Sequence, residues 1–256
     1  HQWWAHQIVG ANMQGATMLS ESFAEYSALM TMKSISKTPM KMREFLKYDH
    51  NRYLRGRGTE IEAEQPLYKV ENQSYIHYGK GAIILYALQD YIGEEKVNRA
   101  MKGFLEEYKY QPPPYPTSLD FMKYLENEVP DSLQYLLTDW IKEITLYDNR
   151  MKSAAYTPLE NGKFKINLEI ECHKIRADSL GNETKIAIHD WIDIGIFTDE
   201  DEEKLLYQKR VLIDQEKMSF TFEVDSLPMR AAIDPRMLLI DRVYDDNIKD
   251  VKMSKL

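Results

Sequence analysis

Six histidines, one cysteine and 41 acidic side chains are the stock from which this 256-residue chain could build a metal site. Zinc needs three or four nitrogen, sulfur or carboxylate donors converging at about 2 Å. His1 and Glu21 stand out, because each lies on a predicted helix beside large apolar residues, Trp4 and Phe23. A charge so placed must find a partner or a metal; the alternative is an ordinary solvated helix face. Glu25 follows Glu21 by one turn. It either orients a metal-bound imidazole as an acceptor or is a surface carboxylate. His6 lies five residues from His1, about 140° around a helix, so the two do not share a metal. His173 and His189 fall in predicted strands and read as structural or solvent-facing. The run Asp199-Glu200-Asp201-Glu202-Glu203 lacks the glycine and alternating spacing of a calcium loop and reads as a solvated turn.

The elements that carry these residues follow from apolar periodicity. Up to about residue 145 the period is helical. His1, Trp4, Ala5 and Ile8 share one face, and Gly10 to Gly15 interrupt it with turn chemistry. A helix starts near Ser20 with Phe23, Tyr26, Ser27 and Met30 turned inward. Further helices are predicted over 39–54, 81–92, 94–108, 118–128 and 131–144, with Pro39 in a first turn and Ser118 as an N-cap. Arg55-Gly56-Arg57-Gly58 reads as a helix exit with Gly56 as its left-handed cap. The Pro112 to Pro116 run reads as a stiff connector.

From about Tyr156 the period falls to two. Phe164, Ile166, Leu168, Ile170 and Cys172 alternate with polar residues, and Ile192, Ile194, Ile196 and Phe220, Phe222, Val224 repeat the pattern. Turn signals at Asn161-Gly162 and Gly181-Asn182 separate the runs. The expected fold class is α+β: a helical region over 1–148, then a small antiparallel β-sandwich over 149–256 with Phe164, Ile166, Leu168, Ile194, Phe220 and Phe222 in its core.

Composition narrows the function classes. With 33 basic residues and a net charge of −8, the chain lacks the basic balance of a general nucleic-acid binder. Its longest apolar run, Ala82 to Leu88, is too short to span a bilayer. Lone Cys172 excludes an internal disulfide framework.

Three ordered phrases carry a resemblance. His1-Gln2-Trp3-Trp4, then Ser20-Glu21-Ser22-Phe23-Ala24-Glu25-Tyr26, then Tyr75-Ile76-His77-Tyr78-Gly79-Lys80-Gly81-Ala82, resemble the zinc core of the aminopeptidase N family of gluzincin metallopeptidases. In that family His-Glu-x-x-His on one helix supplies two zinc ligands and the general base, and a glutamate on the next helix supplies the third ligand. The resemblance implies a catalytic module of that type over about residues 1–145, with a looser match beyond. It implies that His1 and Glu21 are ligands of a single zinc ion, and that Tyr78, in the family's Tyr-x-Lys-Gly phrase, stabilises the tetrahedral intermediate. His77 and Lys80 flank Tyr78 and either tune it or cap and solvate the helix start.

There are departures from the family pattern. His1 and Glu21 are separated by one residue more than is usual in the family, and His6 stands where many members have Asn. No initiator Met precedes His1, and the first zinc histidine and general-base glutamate would lie upstream of it. The expectation is therefore a fragment, inactive alone, of a protein that removes N-terminal residues from peptides, with its own N-terminal part as a necessary partner. The phrases around His1, Arg55-Gly56-Arg57-Gly58 and Asp241-Arg242 are similar to a bacterial branch in which the peptidase follows the permease segments of a transporter. That similarity implies a membrane-associated bacterial parent. The alternative from a different class is a non-catalytic binding or assembly module of a membrane transporter complex.

Overall fold

The computed structural model describes residue 4 and residues 7–36 and 38–254. It divides into two compact units. The first takes in the described residues up to Ser36, together with Glu44–Thr145 and Arg176–Glu183. The second takes in Thr38–Arg43, Leu146–Ile175 and the chain from Thr184 onward.

The helical unit is built on α1 (Phe23–Ile35), α2 (Met42–Thr59), α3 (Gly81–Ile92), α4 (Glu94–Tyr108) and α5 (Ser118–Glu128). The last three have the bounds their apolar period predicts. Helix α3 is buried on every side, from Gly81 through Gln89, as expected of a helix apolar all round. Gly93, at φ +100°, turns the chain from α3 into α4, a backbone region that L side chains rarely enter. Helix α5 is capped by Thr117, one residue before the expected Ser118. The Thr117 amide donates to the Asp120 carboxylate (2.9 Å), closing a capping box. Edge-on rings tie the core together, with Phe121 against both Phe23 (4.7 Å) and Phe104 (5.8 Å).

Four helical expectations are corrected. In the predicted opening helix the described residues Trp4, Gln7 and Ile8 form bends and a turn, not helix, while 10–15 are non-helical as their turn chemistry predicts. Their backbone bonds go elsewhere: Tyr110 N–H donates to the Ile8 carbonyl, and Asn12 N–H to that of Pro116. Helix α2 runs through Gly56 to Thr59, so Gly56 is no cap. A Cβ there would fall 2.6 Å from Tyr75 Cγ, so glycine serves close packing instead. Leu29, not Met30, is the buried position after Tyr26 in α1. The last predicted helix breaks into short turns, and β1 already starts at Ile144.

The second unit holds two sheets. One has the order β3 (Glu183–Ile186), β2 (Phe164–Ala177), β1 (Ile144–Pro158) and β9 (Lys252–Met253), with β6 (Lys217–Val224) also paired to β2. The other has the order β5 (Leu205–Ile213), β4 (Asp190–Phe197), β7 (Arg230–Ile233) and β8 (Ile248–Asp250). Neighbours β2/β6 and β4/β5 are antiparallel, with Ile166 opposite Phe222 and Ile194 opposite Lys209. The fold is the expected α+β class with antiparallel sheets, to which the short β1/β9 contact adds one parallel pairing. Ile166, Leu168 and Ile194 are buried as expected. Phe164, Phe220 and Phe222 are only half-buried.

Several polar residues read differently in place. His189 is exposed and lies between β3 and β4, not in a strand. His173 is in β2, with its ring nitrogens 3.4 Å from Glu171 and from Glu216. The acidic turn is paired: Glu202 meets Arg43 (2.9 Å) and Arg230 (3.0 Å), and Glu203 meets Lys41. No helix among the described residues is long and apolar enough to cross a membrane.

Candidate active site

Glu21 and Tyr78 come from two π-helical turns, Met18–Ser22 leading into α1 and Tyr75–Lys80 leading into α3. Such turns widen the helix by one residue, and they recur at functional sites. The Tyr78 hydroxyl donates to Glu21 Oε2. Accepting that bond favours the phenol over the phenolate, and it is the main reason the Tyr78 pKa is pushed up to about 12.

The backbone approach that permits this contact is set by the next residues along. Buried Ser22 donates to the His77 carbonyl (2.6 Å), joining the two turns directly. A Cβ on Gly81 would fall 2.6 Å from Ser22 Cβ, so only glycine admits the serine. Gly79 plays the same part toward α2, where a Cβ would meet the Asp49 carbonyl and the Tyr53 amide at 3.0 Å. Of the two readings open for Lys80, solvating the helix start does not hold, because it is 0% exposed. Its ammonium donates to the Glu143 carbonyl (3.1 Å), and burial draws its pKa down to about 8. The Tyr-x-Lys-Gly phrase thus contains one residue facing Glu21, one buried anchor and two points of close packing.

Four charged or polar groups lie around the pair. Arg52 of α2 places its guanidinium carbon 4.2 Å from the centroid of the Tyr78 ring. His77 meets the same ring edge-on at 4.5 Å. It is buried, its Nδ1 has no hydrogen-bond partner among the described residues, and burial lowers its pKa to about 4. Asp49, one turn before Arg52, is 2% exposed. Burial first, and then the charge of Glu25, raises its pKa to about 7. Glu25 is half-buried and bears electrostatically on both Asp49 and Tyr78.

Glu21 and Tyr78 are therefore in contact, with Glu25 close enough to bias the surrounding charges. His1, and His6 with it, lie outside the described residues. Trp4, three residues after His1, is described. It packs edge-on against Phe23 at 5.0 Å and donates from Nε1 to Ser27 (3.1 Å), on the helix that follows Glu21. Sequence reasoning missed Ser22, Asp49 and Arg52. Asp49 and Arg52 did carry a signal, as opposite charges three residues apart on one helix face.

The donor chemistry suits zinc in kind, since a carboxylate is an ordinary zinc ligand. It is incomplete in number: among the described residues no group of three His, Cys, Asp or Glu side chains is placed to hold a metal ion.

Comparison with known proteins decides the family. The model of the peptidase family M1 domain matches residues 1–140. The chain belongs to peptidase family M1. Two curated relatives of this M1 chain are tricorn protease-interacting factors F2. That of Thermoplasma volcanium is 24% identical over 222 residues, covering 84% of this chain and 26% of the relative. That of Thermoplasma acidophilum is 28% identical over 116 residues, covering 43% of this chain and 15% of the relative. The M1 chain thus spans about a quarter or less of the curated relatives it matches. Among solved structures, Legionella pneumophila aminopeptidase A in complex with aspartic acid matches over 100% of this chain and 26% of its own, at 16% identity and a TM-score of 0.53. That likeness shows that the two share the helical-then-sheet fold.

Proposed function

We propose that this M1 chain is part of a zinc-dependent aminopeptidase that hydrolyses the N-terminal peptide bond of short peptides. The observation that carries the reading is the hydrogen bond from Tyr78 to Glu21, which joins the proposed oxyanion donor to the proposed ligand. In this reading His1 and Glu21 hold the metal. Zinc, when bound, supplies the Lewis acid that polarises the scissile carbonyl and activates water. Tyr78 donates to the oxygen on which negative charge develops, a bond that strengthens in the transition state. Its high pKa keeps the phenol protonated, and thus able to donate, across the neutral range.

The 256 residues contain no His-Glu-x-x-His phrase. The proposal therefore assigns the first zinc histidine and the base to another part of a longer parent, and holds the chain inactive alone. The Arg55 to Gly58 and Asp241-Arg242 phrases support a membrane-associated bacterial parent of the transporter-linked branch. The names of the relatives support a larger protease as a protein partner.

The test is release of an arylamine from aminoacyl-arylamides by the full-length protein and by the 256-residue chain. The full-length protein should be active, lose activity to a chelator and regain it with zinc, while the chain shows none. A folded, zinc-loaded full-length protein that cleaves no aminoacyl-arylamide or peptide would overturn the reading.

A further inference from the structure

The guanidinium of Arg52 lies over the face of Tyr78, 4.2 Å from the ring centroid, while His77 abuts the ring from its edge at 4.5 Å. A phenol ring on a short side chain has two torsions to fix. The joint between Ser22 and the His77 carbonyl fixes the backbone beneath it, but not those torsions. Gly79 lets the Tyr78 turn approach α2 closely enough for the Arg52 side chain to reach the ring. The arrangement has a stacked cation on one side, an imidazole at the edge and a carboxylate at the hydroxyl.

We propose that Arg52 is a positioning residue for Tyr78: by stacking on the ring it holds the hydroxyl on the line toward Glu21. The inference rests on the role given to Tyr78 under Proposed function and adds the residue that aims it. A guanidinium suits this task because its planar, weakly hydrated cation stacks on an aromatic face. A lysine at the same place keeps the charge but not the flat contact.

The experiment uses the full-length protein with Arg52→Gln, Arg52→Lys, Tyr78→Phe and the Arg52→Gln/Tyr78→Phe double variant. Zinc content is measured for each, with kcat and KM on an aminoacyl-arylamide. Arg52→Gln should lower kcat roughly tenfold, the scale of one lost cation–π contact, with KM within about twofold and zinc retained. Arg52→Lys should recover part of the loss. In the Tyr78→Phe background Arg52→Gln should cost little more, because no hydroxyl remains to be aimed. A crystal structure of the Arg52→Gln protein should show the Tyr78 ring turned away from Glu21.

A wild-type kcat in Arg52→Gln beside a crippled Tyr78→Phe would overturn the Arg52 inference alone. So would an equal loss in both backgrounds, which is the mark of a merely structural role. If instead Tyr78→Phe is as active as wild type, or wild type is inactive, the functional reading fails. The ring position in the Arg52→Gln crystal then decides the positioning claim by itself.

Discussion

Tyr78 donates its phenolic hydrogen bond to Glu21 across 57 residues of sequence, each side chain rising from its own π-helical turn. The residue after Glu21 and the third residue after Tyr78 lock those turns together. Ser22 fills the space that a side chain on Gly81 would need, and it bonds to the backbone beneath Tyr78.

That joint gives the first prediction. Gly81→Ala forces a methyl group against Ser22, and overpacking of this kind typically costs about 1–3 kcal/mol. The gain in helix propensity from Gly to Ala is up to about 1 kcal/mol, which does not offset it. Urea unfolding should show a lower midpoint with an unchanged slope. Gly81→Ala combined with Ser22→Gly, which removes the clash, should recover most of the loss.

Much of the fold was legible because its punctuation is local. Helix α3 lies between Gly81 and the Gly93 turn, α5 spans the predicted 118–128 although its cap is Thr117 and not Ser118, and the step from period 3.6 to period 2 marks the sheets. What was not legible depends on residues far apart. Gly56 looks like a cap until the Tyr75 ring is found against it, and Lys80 looks exposed until Glu143 is brought to its ammonium. Phe220 and Phe222 are half-buried, and alternation alone does not reveal how far a strand face is covered. At the site, the three phrases pointed to Glu21 and Tyr78. Arg52 lies between the second and third phrases, on a helix that none of the three marks.

A second prediction concerns Asp49. Its folded pKa, about 7, lies above the ordinary carboxylate value. Its contribution to stability is thus complete at low pH and is lost as pH rises from about 4 through 7, where a buried charge must form. Asp49→Asn escapes that loss. The stability of Asp49→Asn relative to wild type should therefore rise between pH 5 and pH 8, by a few kcal/mol at most, at ~1.4 kcal/mol per pKa unit. Asp234 and Asp241 are also raised, to about 8 and about 7, but they are common to both proteins and cancel in the difference. Urea midpoints at the two pH values check it, and a flat difference would contradict it.

A third prediction tests the support at the far end of α2. Tyr53, fully buried, donates to Glu64 Oε1 (2.5 Å). Arg57 donates to Glu64 Oε2 (2.8 Å) and to Glu183 (3.1 Å). Removing the shared acceptor leaves the buried Tyr53 hydroxyl without its acceptor and the partly buried Arg57 with Glu183 alone. Glu64→Ala should destabilise the protein by about 3–5 kcal/mol, and Glu64→Gln, which keeps one acceptor oxygen, by less. Thermal unfolding of the two variants side by side gives the order.

The most direct measurement pairs metal content with turnover in two variants of the full-length protein. Glu21→Ala should lose zinc and activity together. Tyr78→Phe should keep zinc, hold KM near wild type and lower kcat by about 10²–10³-fold, the usual effect of one lost oxyanion donor. A folded, zinc-loaded Tyr78→Phe protein that turns over at the wild-type rate would contradict the account at its centre.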